Sequence, residues 1–278
     1  MTDTFGASQR AWLDPAVDTK THPDFDADIR AAKLAEQGKF QFLFLGDFPA
    51  TVSQDNSFMG GMALEPIVAS AVIAQATSHI RIAATVATSW SIPYTLARQF
   101  KTLDVMSSGR MAWNAVTGVN PNIAQAFGVA LGDSQARYEK AYEFTQMVQN
   151  LWASWGENAL KIDKSAQIFA DYRQVNAISQ QGKHLQSVSA LPIPPSKQGQ
   201  PVIFHSSGSP NNIAYAGRYA NVMIGEVWTI EQGQEIRNAL RQTAIDNGRN
   251  PDEIKFIAGI MPLIGDTKRE ALDRHAFL

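Results

Sequence analysis

Ile80-Arg-Ile-Ala-Ala-Thr-Val-Ala-Thr88, Ile92-Pro-Tyr-Thr-Leu-Ala-Arg-Gln-Phe-Lys-Thr-Leu-Asp-Val-Met106 and Ser108-Gly-Arg-Met-Ala-Trp-Asn-Ala-Val-Thr-Gly118 follow one another and decide how the fold is read. The first piece is short, apolar and β-branched, the pattern of a strand buried on both faces. The second repeats apolar residues at Leu96, Phe100, Leu103 and Met106, a helical spacing. Pro93 suits a first helical turn, where its missing N–H has no intrahelical partner to lose. Ser107-Ser-Gly109 ends that helix, and Met111 to Thr117 reads as a second buried strand. Strand, helix and strand in this order form a βαβ unit of a parallel sheet, with a right-handed crossover. The polar residues Thr85, Thr88, Asn114 and Thr117 gather towards the carboxyl ends of the strands. In parallel α/β folds that edge binds ligands.

Upstream, residues 26 to 37 predict a helix closed by Gly38, and Phe40 to Leu45 a buried strand that ends on Gly46-Asp47. An acid in that position is a turn-former or a ligand contact. Residues 48 to 63 read as a loop and Leu64 to Ala76 as a helix of small residues. His79 enters its strand at the amino-terminal end, the face that serves stability, and is read as structural. Residues 1 to 25 are polar and irregular, with no opening apolar strand.

Downstream, Gly118-Val-Asn-Pro-Asn122 is a turn-rich loop, and Ser134 to Trp152 a helix with Arg137 and Tyr138 in its first turn, where free N–H groups attract anions. Residues 156 to 200 break the alternation. Tyr172 to Ile178 and His184 to Val188 resemble a hairpin, and Leu191 to Pro201 is a Pro-rich linker, so this segment reads as an insertion within a single domain covering residues 1–278. Strands at 202–205, 221–224 and 254–264 then alternate with helices at 211–219, 231–246 and 267–275.

The chain has 278 residues and 24 Lys and Arg against 26 Asp and Glu, with no basic block. That balance lacks the footprint of a nucleic-acid binder. Cysteine is absent, which excludes disulfides and thiolate catalysis and fits a reducing compartment; with no basic flank or apolar leader at Met1, the expected location is cytoplasmic. No apolar run has the length of a membrane span. The five histidines show no metal-ligand spacing.

Ser206-Ser-Gly-Ser209 lies between an apolar strand and a helix. Such a turn either cradles a phosphate through hydroxyls and helix N–H groups or simply caps the helix. Thr85, Asn114, Arg137 and Tyr138 fall on the same presumed edge. Neutral polar groups converging there suit an aromatic cofactor carrying one phosphate. His205 either touches that ligand or bonds a neighbouring backbone carbonyl.

Pro93 to Asp104, Ser108-Gly-Arg110, Trp113-Asn-Ala-Val-Thr117, Ala126-Phe-Gly128, Arg137-Tyr138, Gln181-Gly-Lys-His184 and Ser207-Gly-Ser-Pro210 resemble the bacterial luciferase-like flavin monooxygenases. The likeness is to the branch that contains nitrilotriacetate, dibenzothiophene sulfone and long-chain alkane monooxygenases. It implies a TIM-type (β/α)8 barrel, here without its first strand and last βα unit, that binds reduced FMN supplied by a separate NAD(P)H:FMN reductase. It further implies a homodimer or homotetramer using O2, through a flavin peroxide, to insert one oxygen atom into a small organic or organosulfur substrate. By the same likeness Asp47 and Thr85 line the isoalloxazine, Asn114 meets the middle of the flavin, and Tyr138 with Ser207, Gly208 and Ser209 holds the phosphate. Ser134 stands where relatives often carry His, and Ser89-Trp-Ser-Ile-Pro93 lacks the histidine common before Pro-Tyr. A non-catalytic flavin-binding homologue and an F420-dependent oxidoreductase are the rival readings.

Overall fold

A computed structural model describes residues 11–15, 25–49, 64–206, 208–260 and 262–277. In chain order the elements are α1 (Phe25–Gln37), β1 (Phe42–Leu45), α2 (Pro66–Ala76), β2 (Arg81–Ala87), α3 (Pro93–Met106), β3 (Met111–Val116), α4 (Pro121–Ala126) and α5 (Ser134–Trp152). Four short strands follow, β4 (Leu160–Asp163), β5 (Ile168–Ala170), β6 (Ile178–Gln181) and β7 (Gln186–Ser189). The alternation resumes with β8 (Val202–Ser206), α6 (Pro210–Tyr219), β9 (Val222–Gly225), α7 (Ile230–Asp246), β10 (Lys255–Ala258) and α8 (Lys268–Phe277).

Six strands form one sheet in the order β1-β2-β3-β8-β9-β10, every neighbouring pair parallel. It is the expected α/β barrel sheet, and it stays open, with β1 and β10 as its edges among the described residues. Side chains alternate across it with a period of two. On one face Phe42, Phe44, Ala83, Ala112, Val202, Phe204, Val222 and Ile224 pack together. On the other, Ile82, Met111, Trp113 and Ile203 meet the helices in the larger core. Trp113 is the centre of that layer, against Phe100 of α3 and Phe144 and Trp152 of α5, with ring centroids 5.9–6.3 Å apart. Its indole N–H donates to the Val86 carbonyl at 3.0 Å, so the buried polar atom is satisfied.

The amino-terminal edge of β2 is held by a carboxylate. Glu36 Oε1 accepts the backbone N–H groups of Ser78, His79 and Ile80 at 2.9, 2.5 and 2.9 Å. Those bonds favour the ionised form and pull its pKa down to about 2. His79 therefore contributes its backbone at the stability face.

Several sequence expectations change in detail. The loop after β3 contains the helical turn α4, started by Pro121 and capped by the Asn120 side chain. The segment before β8 contains two antiparallel hairpins, β4–β5 and β6–β7. Tyr172 to Gln174, expected in a strand, forms a 3-10 turn because the Asp171 side chain accepts the Arg173 N–H. The last strand is also shorter than its apolar run, ending at Ala258.

Candidate active site

The carboxyl edge of the sheet continues the inner columns of apolar residues with polar ones. Ala83 is followed two residues on by Thr85, Ala112 by Asn114 and Phe204 by Ser206, and Thr85 pairs in register with Asn114, which pairs with Phe204. The Asn114 amide donates to Thr85 Oγ1 at 2.9 Å, and the Ser206 hydroxyl donates to Asn114 Oδ1 at 3.1 Å. Three neighbouring strands are thus linked by neutral hydrogen bonds directly above an apolar floor. Thr85 and Asn114 are buried, so the amide is held in place by its partners.

A second cluster lies where β8 turns into α6. Asn212, in the first turn of α6, accepts from the Tyr138 hydroxyl and donates to Ser209 Oγ at 2.7 Å. Its side-chain oxygen also lies 2.7 Å from His205 Nε2, while Nδ1 of that ring faces the Ala115 carbonyl at 2.6 Å. His205 points to the helix layer, 4.6 Å from the Tyr215 ring, so the backbone-carbonyl alternative describes one side of it and an amide the other. Burial pushes its pKa down and favours the neutral ring. Burial likewise raises the Tyr138 phenol, which therefore stays protonated near neutral pH. Ser134 Oγ accepts from Asn211 at 3.3 Å, drawing the starts of α5 and α6 together.

Of the expected site residues, Thr85 and Asn114 share the first cluster, and Tyr138 and Ser209 share the second through Asn212. Gly208 lies in the turn joining the two, while Ser207 falls outside the described residues. Asp47 follows β1, whose Leu45 pairs with Ala84, so it occupies the same edge as Thr85. Burial, with repulsion from Glu65, pushes its carboxyl up to about 6. The Arg137 guanidinium donates to the Gly132 carbonyl at 2.8 Å. Ser206 and Asn212 were missed as site residues; the Asn-Asn pair straight after Ser-Pro210 was the available signal. Among the large apolar residues near the strand ends, Met111 belongs to the helix-side core and Trp228 is 90% exposed. Trp90 stacks on Phe127 with centroids 5.5 Å apart and lies across Gly118, where a Cβ would come within 2.3 Å of its ring and φ is +67°.

No group of metal-ligating side chains occurs among the described residues, and no described helix is long and apolar enough to cross a membrane. The donors are hydroxyls and amides, which suit a neutral ring system with a phosphate arm. Such a fold defines a parallel α/β protein of the barrel class. The chain belongs to the luciferase-like monooxygenase family, whose model matches residues 6–278. It is 35% identical over 257 residues to the dibenzothiophene-sulfone monooxygenase of Rhodococcus erythropolis, covering 89% of this chain and 57% of that protein. The chain therefore spans a little over half the length of that relative. The EDTA monooxygenase of Chelativorans sp. BNC1 superposes with a TM-score of 0.87 at 29% identity, over 98% of this chain and 65% of that one. A riboflavin lyase solved with modified FMN and its substrate riboflavin superposes with a TM-score of 0.87 at 26% identity, over 99% and 63% of the two chains.

Proposed function

We propose that this chain is a two-component monooxygenase that takes reduced FMN from a separate NAD(P)H:FMN reductase and inserts one atom of O2 into a small organic or organosulfur substrate. The observation that carries this reading is the pair of neutral hydrogen-bond clusters, Thr85–Asn114–Ser206 and Tyr138–Asn212–Ser209, joined by one turn on the carboxyl edge. The relatives support the reaction class, and the lyase supports FMN as the flavin.

When bound, reduced flavin supplies the two electrons that take one oxygen atom to water while the other enters the substrate. The protein's part is positional. Asn114, fixed by Thr85 and Ser206, would meet the ring with an amide that adds no charge. Ala83, Ala112 and Phe204 form a dry floor beneath it, and exclusion of water protects reactive intermediates from side reactions. At the other end the α6 terminus and Tyr138 favour an anion.

The test supplies the chain with FMN, NADH, a flavin reductase, 18O2 and a panel of sulfides and sulfones. Label in the product is expected only with chain and reductase together. FMN binding without labelled product would contradict the monooxygenase reading, and retention of F420 in place of FMN would contradict the cofactor.

A further inference from the structure

His205 faces an oxygen at each end of its ring, the Ala115 carbonyl at Nδ1 and the Asn212 side-chain oxygen at Nε2. A neutral imidazole carries one N–H, and a carbonyl can only accept, so Nδ1 holds the proton and Nε2 must itself accept. A histidinium would satisfy both oxygens. That ring, however, is 1% exposed and packed against Tyr215, where a charge loses its hydration. The groups bonded to it are a carbonyl and an amide, neither of which offers a full countercharge.

The conflict disappears when the Asn212 amide is turned end for end, because the nitrogen and oxygen of an amide are assigned from their partners. Its NH2 then donates to His205 Nε2 and to the Tyr138 oxygen, and its carbonyl accepts from the Ser209 hydroxyl, which can serve in either direction. We propose that His205 is a positioning residue that, through Asn212, fixes the direction of the hydrogen bond at Tyr138 and leaves the phenol proton to be donated to the flavin phosphate. Ser209 spends its own proton on Asn212 and acts as a support for the amide. The inference rests on the FMN reading above and assigns the phosphate its donor.

Two measurements test it. Long-range 1H–15N correlation spectra of the ligand-free chain, with His205 assigned by comparison with His205→Phe, are expected to show a protonated Nδ1 and an unprotonated Nε2 at neutral pH. Protons on both nitrogens, or on Nε2 alone, would overturn the proposal. The second measurement is the preference for FMN over riboflavin, which lacks the phosphate. Tyr138→Phe is expected to reduce that preference roughly ten-fold or more, as for loss of a hydrogen bond to a charged group. Ser209→Ala should change it less than about three-fold, the effect expected of a group that does not touch the phosphate. His205→Phe, which offers Asn212 no acceptor, should lower it as Tyr138→Phe does while riboflavin affinity is retained. The opposite order, with Ser209→Ala the larger loss, would overturn the proposal. A wild-type chain with no preference for FMN would refute the phosphate reading itself, and the histidine spectrum would still decide the hydrogen-bond direction.

Discussion

Asp47 carries a pH dependence of its own. Its carboxyl is raised from 3.8 to about 6 by burial and by Glu65. Between those values the folded chain holds a proton that the unfolded chain has released, so stability falls as pH rises through the window. Asp47→Asn should flatten that fall and leave the variant more stable than wild type above pH 7 by roughly 1–3 kcal/mol, the scale of a two-unit shift reduced by solvent screening of a partly exposed carboxyl. Melting curves across the range check it, and parallel curves for the two proteins would refute it. Asn114→Ala strips the Thr85 and Ser206 hydroxyls of their partner, and should cost about 1–3 kcal/mol in denaturant unfolding. Thr85 and Asn114 were legible in the sequence because each is a polar residue in an otherwise apolar strand, near its carboxyl end. Asn212 was not, because its role depends on the β8–α6 turn bringing it to Tyr138, 74 residues earlier in the chain.

Whole elements are tied by single side chains. Glu36 clasps the entry to β2 through three backbone N–H groups. Because its folded pKa lies near 2, below the usual 4.5, this stabilisation is present above pH 4.5 and is lost as pH falls towards 2. Glu36→Ala should cost about 1–3 kcal/mol at pH 7, and the difference from wild type should shrink in acid. An undiminished difference at pH 2 would contradict it. The Pro-rich linker before β8 is fastened to α3 in a similar way. Asp104 accepts from Ser196, Gln198 and the Met111 N–H, and Lys101 donates to the Gly199 carbonyl. Asp104→Ala leaves Lys101 buried without its opposite charge and should cost about 3 kcal/mol or more. Limited proteolysis should then cut within 192–200, and a variant as resistant as wild type would refute the clasp. The βα elements were legible because their apolar residues repeat at helical or strand spacing. The hairpins were harder to read because β4 is exposed along its length, with no buried face to impose alternation.

At the scale of the molecule, six parallel strands set every polar column on one edge, because parallel pairing aligns carboxyl ends. The apolar layer of Ala83, Ala112 and Phe204 lies below that edge, and the proposed flavin site uses this layer for the ring and the start of α6 for the anionic arm. The parallel α/β sheet was legible from alternation alone, and the barrel class and the cofactor only through likeness to relatives. Anaerobic isothermal titration of the chain with reduced FMN, beside a variant carrying Asn114→Ala and Tyr138→Phe together, tests this directly. One flavin per chain is expected in the wild type, with affinity lower by roughly a hundred-fold in the double variant, the loss expected of one ring contact and one phosphate contact. Absence of binding, or equal affinity in the two proteins, would contradict the assignment of the flavin to this edge.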